Sequence, residues 1–452
     1  MGFLETNYHM SVNRNRMSHE QIYAYYDRML ASLANSSAAG STAGYETVIT
    51  QAALSAAVAR QYNHEDARYY NSSGQCDCNE DFAREYHQLF FGILGGADGT
   101  AEKEYHENTT IKNTAKALTD MRLHHPGLTK DTDNEWYNGQ DVDYGSQYHP
   151  TGTLSILHFN NTGANAQQRL NNQASTEINN AESLDNLPVM FVSVLSDDNL
   201  TDAKKTALRT AWKSMTRKDL LLFIQAYAIS TQFHDPTRVK YLNSFDRHLN
   251  VANKGARNNA EQFAEWPEVR RLNYVDQQRA FEPIHEVFGA QTGIETSNSS
   301  FLFQETYNGA TQDGGRFTST TRSNNGLNLT RNWGAIIPST NVKLVAEWLW
   351  QRFTNDGLKN FGTLERAYMY ALLAQGRDLG YALDPAHVNV DHVFTEAELT
   401  TTYATAINGF ANTTMDLAAD PTTTTGKTAN RRVGQAIDFI LGTPYVLAQE
   451  GR

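Results

Sequence analysis

Hydrophobic positions recur at helical spacing along most of the chain. After Ser18, a residue that can cap a helix, Ile22, Tyr25, Met29 and Leu33 follow at intervals of three and four. The alanine-rich segment that comes next has apolar residues on nearly every face, which is typical of a helix buried between others. Helical spacing returns later in the chain. The pattern predicts a mainly α fold, a large irregular helical bundle.

Two long polar stretches interrupt the helical pattern. Residues 126–187 are rich in Asn, Gln and Gly. Residues 291–342 are rich in Gly, Asn and Thr, and a few short strands are expected near residues 300–307. Long irregular stretches in compact proteins are usually functional or mobile. We therefore expect a helical region at 1–125, a polar loop region, and a helical region at 188–452 that carries the second polar stretch as an insertion. We expect all three regions to belong to one continuous fold.

The segment 75–91 begins a third predicted helix and contains both cysteines of the chain, Cys76 and Cys78. Asp77 and Glu80 fit a capping box, in which each side chain accepts a hydrogen bond from a backbone N–H group at the helix start. An apolar stripe at helical spacing then predicts a buried face. Its members are Phe82, Tyr86, Leu89, Phe90 and Ile93. The segment is therefore predicted to be a capped core helix.

This helix and the next one resemble the bacterial DUF1800 family, which is defined only as a domain of unknown function. The family's first helical motif is matched at Asn79, Glu80, Phe82, Ala83, Arg84, Glu85, Leu89 and Phe90. Its second motif is matched at Ala115, Ala117, Leu118 and Thr119. The resemblance is clearest over residues 75–125. A third family motif keeps His149 and Gly152 here, but Pro150 and Leu154 replace its acid and its lysine.

The resemblance implies an α-helical, exported bacterial protein, often encoded beside a sulfatase-like partner family, and it implies no reaction. The first twenty residues contain no basic segment followed by an apolar core, so they are not a signal peptide. The protein is then either cytoplasmic or begins downstream of an export signal. Because members of the family are often exported, we expect a periplasmic or secreted protein.

Arg84, Glu85 and His285 are the candidate catalytic residues. Arg84 and Glu85 flank the apolar stripe, where such a pair usually forms an ion pair that ties helices together. In the alternative interpretation, Arg84 binds a carboxylate, sulfate or phosphate group and Glu85 acts as a base. His285 follows Pro283 near a predicted helix end, where a histidine is either an acid–base group or ligand, or a hydrogen-bonded structural residue.

Cys76, Cys78, His87 and His149 are candidate ligands for a transition metal, because thiolates and imidazoles suit zinc and copper. The two cysteines alone supply only two ligands, and the chain has no other cysteine to complete a structural site. The alternatives are a disulfide between Cys76 and Cys78 or two free thiols. The sequence leaves these three alternatives open.

An acidic loop offers oxygen ligands for Ca²⁺, which takes six to eight of them. The candidates are Asp131, Asp133, Asp141 and Asp143. Their spacing does not fit a calcium-binding helix–loop–helix, because Trp136 stands where that loop requires glycine. A solvated acidic loop is the alternative interpretation.

Composition excludes several function classes. The 452-residue chain has a net charge of −12 and no basic stripe, which argues against nucleic acid as a partner. No apolar run approaches the roughly 18 residues of a membrane-spanning helix. The chain has no complete phosphate-binding loop, no dinucleotide fingerprint and no c-type haem motif, so no nucleotide or haem cofactor is predicted.

Two functional hypotheses follow. In the first, the chain is an extracytoplasmic binding or assembly protein whose polar loops contact a glycan or a protein partner, such as an exported sulfatase-like protein. In the second, it is a metal-assisted hydrolase or oxidoreductase that uses His87, His149 or His285 with nearby carboxylates. We favour the first, because no set of residues supplies a nucleophile, a base and an orienting group together.

Overall fold

The computed structural model describes residues 1–124, 139–242, 254, 280–283, 290, 321–324, 327–330, 332–354, 357–384, 386, 392–420, 423–446 and 448–450. The described residues form a mainly α fold with short two-stranded antiparallel sheets. The chain divides into two compact units. Unit 1 comprises Met1–Arg238 and Gln277–Gln291, and unit 2 comprises Val239–Asp276 and Thr292–Arg452.

Unit 1 is built from short helices. They are α1 (Gly2–Leu4), α2 (His19–Ser36), α3 (Tyr45–Ala53), α4 (Ala56–Gln61), α5 (Glu80–Glu85), α6 (Ala101–Tyr105), α7 (Ile111–Ala117), α8 (Ala166–Ile178), α9 (Ala181–Leu195), α10 (Asp202–Ser214) and α11 (Leu220–Ala228). The predicted start of α2 is confirmed, because Ser18 and Gln21 form a capping box. The predicted alanine-rich helix is two helices, since Ser55 caps a new helix at Val58 N.

Three of these helices contain π-helical turns. The turns are Glu5–His9 after α1, Tyr86–Phe90 after α5, and His106–Thr110 between α6 and α7. Each turn places one histidine in the protein interior, namely His9, His87 and His106. A π-turn inserts one extra residue into a helix and often marks a functional site, so these turns direct attention to the interior of unit 1.

Three antiparallel hairpins decorate the helices of unit 1. They are β1 (Arg68–Tyr70) with β2 (Gln75–Asp77), β3 (Met121–His124) with β4 (Asp141–Tyr144), and β5 (Leu154–Ile156) with β6 (Phe159–Asn161). The registers place Tyr69 opposite Cys76 and Leu123 opposite Val142. These hairpins bring residues 68–77 and 141–161 to the same part of unit 1, through contacts described below.

The core of unit 1 is aromatic and continuous. Phe191 of α9 meets the Tyr45 ring at 5.2 Å between centroids, and Trp212 of α10 meets Phe223 at the same distance. Edge-to-face arrangements of this kind add about 0.5–1.5 kcal/mol per pair to the burial of the rings. A late segment of the chain completes the unit, because Phe281 N donates to Asn7 Oδ1 at 2.6 Å.

Unit 2 has its own helices and its own core. Its helices are α12 (Val342–Thr354), α13 (Thr363–Gln375), α14 (Leu379–Leu383), α15 (Glu396–Thr400), α16 (Ala404–Ala411) and α17 (Thr424–Leu441). Its strands are β7 (Val239–Tyr241) paired with β10 (Ala448–Glu450), and β8 (Thr321–Asn324) paired with β9 (Leu327–Thr330). Trp350 stacks on Phe361 at 4.8 Å at the centre of its apolar core.

Helix α8 corrects the prediction of a polar loop over residues 126–187. Its sequence is rich in Asn and Gln, yet Leu170 and Ala174 lie on a buried face, and Asn165 caps the helix at Gln168 N. The narrow buried face explains why polar composition concealed a helix. Strands β4 to β6 and the start of α9 also lie in the described part of this region.

The start of α5 differs from the predicted capping box. Asp77 belongs to β2, and Asn79 caps the helix by accepting a hydrogen bond from Phe82 N at 3.0 Å. Strand pairing with β1 keeps the backbone extended through Asp77, so the helix begins two residues later than the pattern indicated. The apolar stripe that follows is buried at Phe82, Tyr86 and Phe90, as predicted.

Candidate functional site

The loop 145–152 is fixed to the β1–β2 hairpin by hydrogen bonds. Tyr69 N donates to Tyr148 O at 2.8 Å, and Asn71 Nδ2 donates to His149 O at 2.9 Å. Thr151 N in turn donates to Asn71 Oδ1 at 3.2 Å. Backbone bonds and an asparagine side chain thus hold the loop in one position against the hairpin.

Asp120 anchors the other side of this loop. It is buried, has a φ of +58°, and accepts a hydrogen bond from Tyr148 N at 2.9 Å. It also accepts from Arg122 Nε at 3.1 Å. Gly145 passes so close that a Cβ atom there would overlap the Asp120 carboxylate. Glycine is therefore required at position 145, and Asp120 orients both Tyr148 and Arg122.

These anchors present a half-exposed tyrosine surrounded by two arginines. The guanidinium carbon of Arg68 lies 5.2 Å from the centre of the Tyr148 ring, and that of Arg122 lies 5.5 Å from it. The Tyr70 ring meets Tyr148 edge-on at 5.5 Å. We call Arg68, Tyr70, Arg122 and Tyr148 the Tyr148 surface. Both guanidinium groups lie within the range of cation–π attraction.

His149 lies directly beneath the Tyr148 surface and is buried. Its Nε2 accepts a hydrogen bond from Arg169 Nε at 2.8 Å, and its Nδ1 lies 3.2 Å from Thr119 O. Burial, together with the positive charge of Arg169, lowers the pKa of His149 to about 4. Because both ring nitrogens are engaged, this geometry leaves no lone pair of His149 for the predicted metal ion.

Cys76 and Cys78 lie at the edge of the same hairpin. Their Cα atoms are 5.2 Å apart, within the range that a disulfide spans, and their sulfur atoms are in contact, closer than in an ordinary disulfide. Cys78 also packs against the core of unit 1. The geometry shows that the two side chains adjoin, and the disulfide itself stays a prediction.

His87 lies in the interior, where it takes part in a hydrogen-bond network. Its Nε2 lies 2.8 Å from Thr114 Oγ1, and its Nδ1 lies 3.9 Å from Glu177 Oε1. Burial lowers the pKa of His87 to about 3, so the imidazole is neutral at pH 7. Across the described residues, no three His, Cys, Asp or Glu side chains are grouped to hold a metal ion. The predicted ligands Cys76, Cys78, His87 and His149 are therefore not brought together.

Glu177 is a buried carboxyl group that the sequence analysis missed. Tyr86 OH donates to its Oε2 at 2.7 Å, and Gln173 Nε2 donates to its Oε1 at 2.6 Å. Burial raises the pKa of Glu177 to about 8, so the group is mostly protonated at pH 7. The four-residue spacing of Gln173 and Glu177 on one helix face was the signal that could have revealed it.

A second buried network joins the first π-helical turn to the second. His9 Nδ1 lies 2.8 Å from Glu5 Oε2, and Tyr45 OH donates to the same oxygen at 2.7 Å. His9 Nε2 lies 3.0 Å from the backbone oxygen of Phe90, at the end of the second turn. This network has a structural role, since it joins the two turns and its side chains are buried in the core.

Arg84 and Glu85, two of the candidate catalytic residues, have different surroundings. Arg84 forms an ion pair with Glu107 of the third π-helical turn, and Lys103 Nζ lies 3.2 Å from the same carboxylate. Glu85 is half-buried, and burial raises its pKa. Arg84 thus ties two helices together, although its partner is Glu107 rather than the neighbouring Glu85.

Two of the remaining candidate residues, Asp141 and Asp143, lie within the described part of the chain. Asp141 and Asp143 lie on β4, where Asp143 Oδ1 is 3.3 Å from His124 Nδ1 on β3. The other predicted calcium ligands, Asp131 and Asp133, and the candidate acid–base residue His285 lie outside the described residues. The calcium site therefore stays a prediction.

The glycine loop after the second π-helical turn binds a carboxylate of the protein itself. Gly95 N donates to Glu182 Oε2 at 2.8 Å, Gly96 N donates to Glu182 Oε1 at 2.9 Å, and Leu94 N also donates to Glu182. Gly95 and Gly96 have φ values of +80° and +86°, which favour glycine. Successive N–H groups converging on one anion form a backbone nest.

Comparison with protein-family models, with curated proteins and with solved structures finds no match for this chain. Its function must therefore be inferred from its own geometry. Within the part of the chain that the structure describes, no helix is both long and apolar enough to span a membrane.

Proposed function

We propose that the protein is an extracytoplasmic binding protein whose ligand is a glycan that carries carboxylate or sulfate groups. The observation that supports this proposal is the Tyr148 surface, where two guanidinium groups lie against one half-exposed tyrosine ring. A guanidinium group matches the planar, bidentate geometry of carboxylates and sulfates. The aromatic ring holds both guanidinium groups beside it through cation–π attraction.

The local charge supports an acidic ligand. The chain as a whole carries a net charge of −12, yet Arg68 and Arg122 are concentrated around a single ring. Arg122 is partly neutralised by Asp120, at 3.0 Å from Nη2 to Oδ1. Arg68 is exposed and makes no ion pair with any described residue. One arginine is therefore oriented by the protein and the other is available to an incoming anion.

Neighbouring polar groups extend the surface in a way that suits a sugar. Asn71 and Thr151 are exposed beside the ring, and each is already oriented by the hydrogen bond between them. Amide and hydroxyl groups both donate and accept hydrogen bonds, as the hydroxyl groups of a sugar require. A hydroxyl-rich ligand with an acidic substituent fits this combination better than a purely ionic one.

The family resemblance supports the cellular setting of this proposal. A member of the DUF1800 family would be an exported bacterial protein, and glycans with acidic groups are abundant outside the cytoplasm. An exported sulfatase-like protein stays a proposed partner on the same ground. Tyr148, at the centre of the surface, lies within the region 126–187 from which the sequence predicted ligand contacts.

Binding of matched charged and neutral polysaccharides tests the proposal. Isothermal titration calorimetry at constant ionic strength would compare dextran sulfate with dextran, and polygalacturonate with its methyl ester. We expect the charged member of at least one pair to bind, and Arg68→Ala and Tyr148→Ala each to weaken binding about tenfold or more, since charge-assisted hydrogen bonds contribute about 1.5–3 kcal/mol.

Two control variants separate this surface from general charge attraction. Arg431 is an exposed arginine and Tyr23 an exposed tyrosine, both outside the surface. Arg431→Ala and Tyr23→Ala should bind as the unchanged protein does. Equal binding of charged and neutral polymers, no binding of any polymer, or equal losses in all four variants would refute the proposal.

A further inference from the structure

Arg169 is a fully buried arginine that meets no carboxylate among the described residues. Its guanidinium group donates instead to one imidazole nitrogen and to backbone oxygens. The acceptors are His149 Nε2 at 2.8 Å, Asn161 O at 2.9 Å, Pro150 O at 2.6 Å and Gly152 O at 2.8 Å. Placing a cation in the interior is costly unless its hydrogen bonds are satisfied, so these contacts must serve a purpose that a neutral residue would not.

The acceptors show what Arg169 holds in place. Pro150 and Gly152 belong to the loop that carries Tyr148, and His149 directly follows Tyr148 in this loop. Arg169 itself is on α8, a regular helix whose first turn is capped by Asn165. One guanidinium group therefore connects helix α8 to three positions of the loop, His149, Pro150 and Gly152.

The hydrogen bond from Arg169 to His149 forms only while the His149 imidazole is neutral. Arg169 Nε can only donate, so His149 Nε2 must accept and the ring proton must lie on Nδ1, which faces Thr119 O. A protonated imidazole would place a second donor and a second positive charge against Arg169. The charged groups that face His149 are Arg169 on α8 and Asp120 on the loop after α7, and Asp120 favours the protonated form.

We infer that Arg169 and His149 are the positioning residues of the Tyr148 surface, and that the pair holds the loop only while His149 is neutral. The inference rests on the proposed function for the identity of the ligand, but loop positioning itself can be measured without any ligand. In acid the loop is released, so the surface loses its arrangement and the bound glycan dissociates.

Hydrogen–deuterium exchange of the intact protein tests the positioning. In Arg169→Lys the ammonium group cannot reach all four acceptors, so the amides of residues 145–152 and of the paired hairpin residues 68–71 should exchange at least tenfold faster. Arg238→Lys is the matched control, because Arg238 is also buried and donates to the backbone oxygens of Ser196 and Phe233. This control should leave exchange at 145–152 unchanged.

The pH dependence of exchange at residues 145–152 is a second test, because a purely structural role of His149 would not make this exchange depend on its protonation. After correction for intrinsic rates, exchange at 145–152 should rise as the pH falls toward 4 in the unchanged protein. His149→Gln keeps an oxygen that accepts from Arg169 and cannot be protonated, so its profile should stay flat. Dextran sulfate keeps its charge near pH 4. Its binding should therefore weaken toward that pH in the unchanged protein and stay constant in His149→Gln.

The outcomes distinguish the two proposals. Unchanged exchange at 145–152 in Arg169→Lys, or the same acid profile in His149→Gln as in the unchanged protein, would overturn the positioning role whatever the ligand. Faster exchange in Arg169→Lys together with no glycan binding by the unchanged protein would support the positioning role and refute the proposed function.

Discussion

Burial, rather than contact with solvent, determines the chemistry of the titratable residues in unit 1. Glu177 and His87 are both inaccessible, and burial moves their pKa values in opposite directions, to about 8 and about 3. Both groups are therefore mostly neutral at pH 7, the state that a low-dielectric interior favours. Their hydrogen bonds to Tyr86, Gln173 and Thr114 make them parts of the core.

The first residue-scale prediction concerns Glu177→Gln. Between the ordinary carboxyl pKa of 4.5 and the folded value of about 8, the folded state holds a proton that the unfolded chain has lost. Rising pH thus favours unfolding across this window, by up to tenfold in the folding equilibrium per pH unit. The glutamine variant should lose this dependence, which urea unfolding at pH 6.5 and pH 8 would measure.

The quantity to compare is the change in the free energy of unfolding between pH 6.5 and pH 8. The absolute stability is less informative, because glutamine also changes the hydrogen bonds around it. Glu104→Gln is the matched control, since Glu104 is an exposed carboxylate in the same unit. It should keep the slope of the unchanged protein. If Glu177→Gln and Glu104→Gln lose stability equally between the two pH values, Glu177 is not the titrating group.

Single residues were easier to identify from the sequence than their partners were. His87, His149, Arg84 and Glu85 stood out by type and position, and the first three make hydrogen bonds or an ion pair. Glu177, the partner of Tyr86, lies 91 positions further along the chain. A contact of that separation depends on how the helices pack, which no local pattern contains.

The glycine nest that holds Glu182 shows how one element positions another. The loop 94–96 donates three backbone N–H groups to a carboxylate in the first turn of α9. Glutamine at this position offers only one acceptor oxygen and no charge. We expect Glu182→Gln to lower the free energy of unfolding by about 1–3 kcal/mol, as measured by urea denaturation.

Glu80→Gln provides the comparison for this prediction. Glu80 also lies in the first turn of a helix and is exposed, so it shares the favourable interaction with the helix dipole but not the nest. Its replacement should cost about 0.3–1 kcal/mol. Equal losses in the two variants would show that the nest adds nothing beyond the dipole.

Elements were predicted well where apolar residues recur at regular spacing and poorly where hydrogen bonding decides. The Ser18 cap of α2 follows from the pattern and is confirmed. Helix α8 was missed because its polar face outweighs a narrow buried one. The π-helical turns could not be predicted, because no residue type or spacing in the sequence marks the position where one extra residue enters the helix.

The whole molecule contains separate hydrophobic cores. All described members of the largest buried cluster belong to unit 1, and those of the other two clusters belong to unit 2. We therefore expect two calorimetric transitions. Leu187→Ala in unit 1 and Leu349→Ala in unit 2 remove equally buried side chains, and each should destabilise one transition by about 2–5 kcal/mol.

The two leucine variants serve as controls for each other. Leu187→Ala should leave the transition of unit 2 in place, and Leu349→Ala should leave that of unit 1. If both variants shift a single common transition by the same amount, the units unfold as one cooperative body. The sequence predicted one continuous fold, and scanning calorimetry decides how that fold is divided in energetic terms.

Phe281 and Ala290 complete unit 1 late in the sequence, and this order has a consequence for folding during synthesis. Asn7 hydrogen-bonds Phe281, which is made 274 positions later, and Arg14 bonds the same residue. At roughly 5–20 residues per second, a ribosome needs roughly 14–55 s to bridge that interval. During this time Asn7 and Arg14 lack their hydrogen bonds to Phe281, although the first residues of unit 2, Val239–Asp276, have already been synthesised. A chaperone that shields this edge would therefore act on unit 1 until Phe281 and Ala290 have been synthesised.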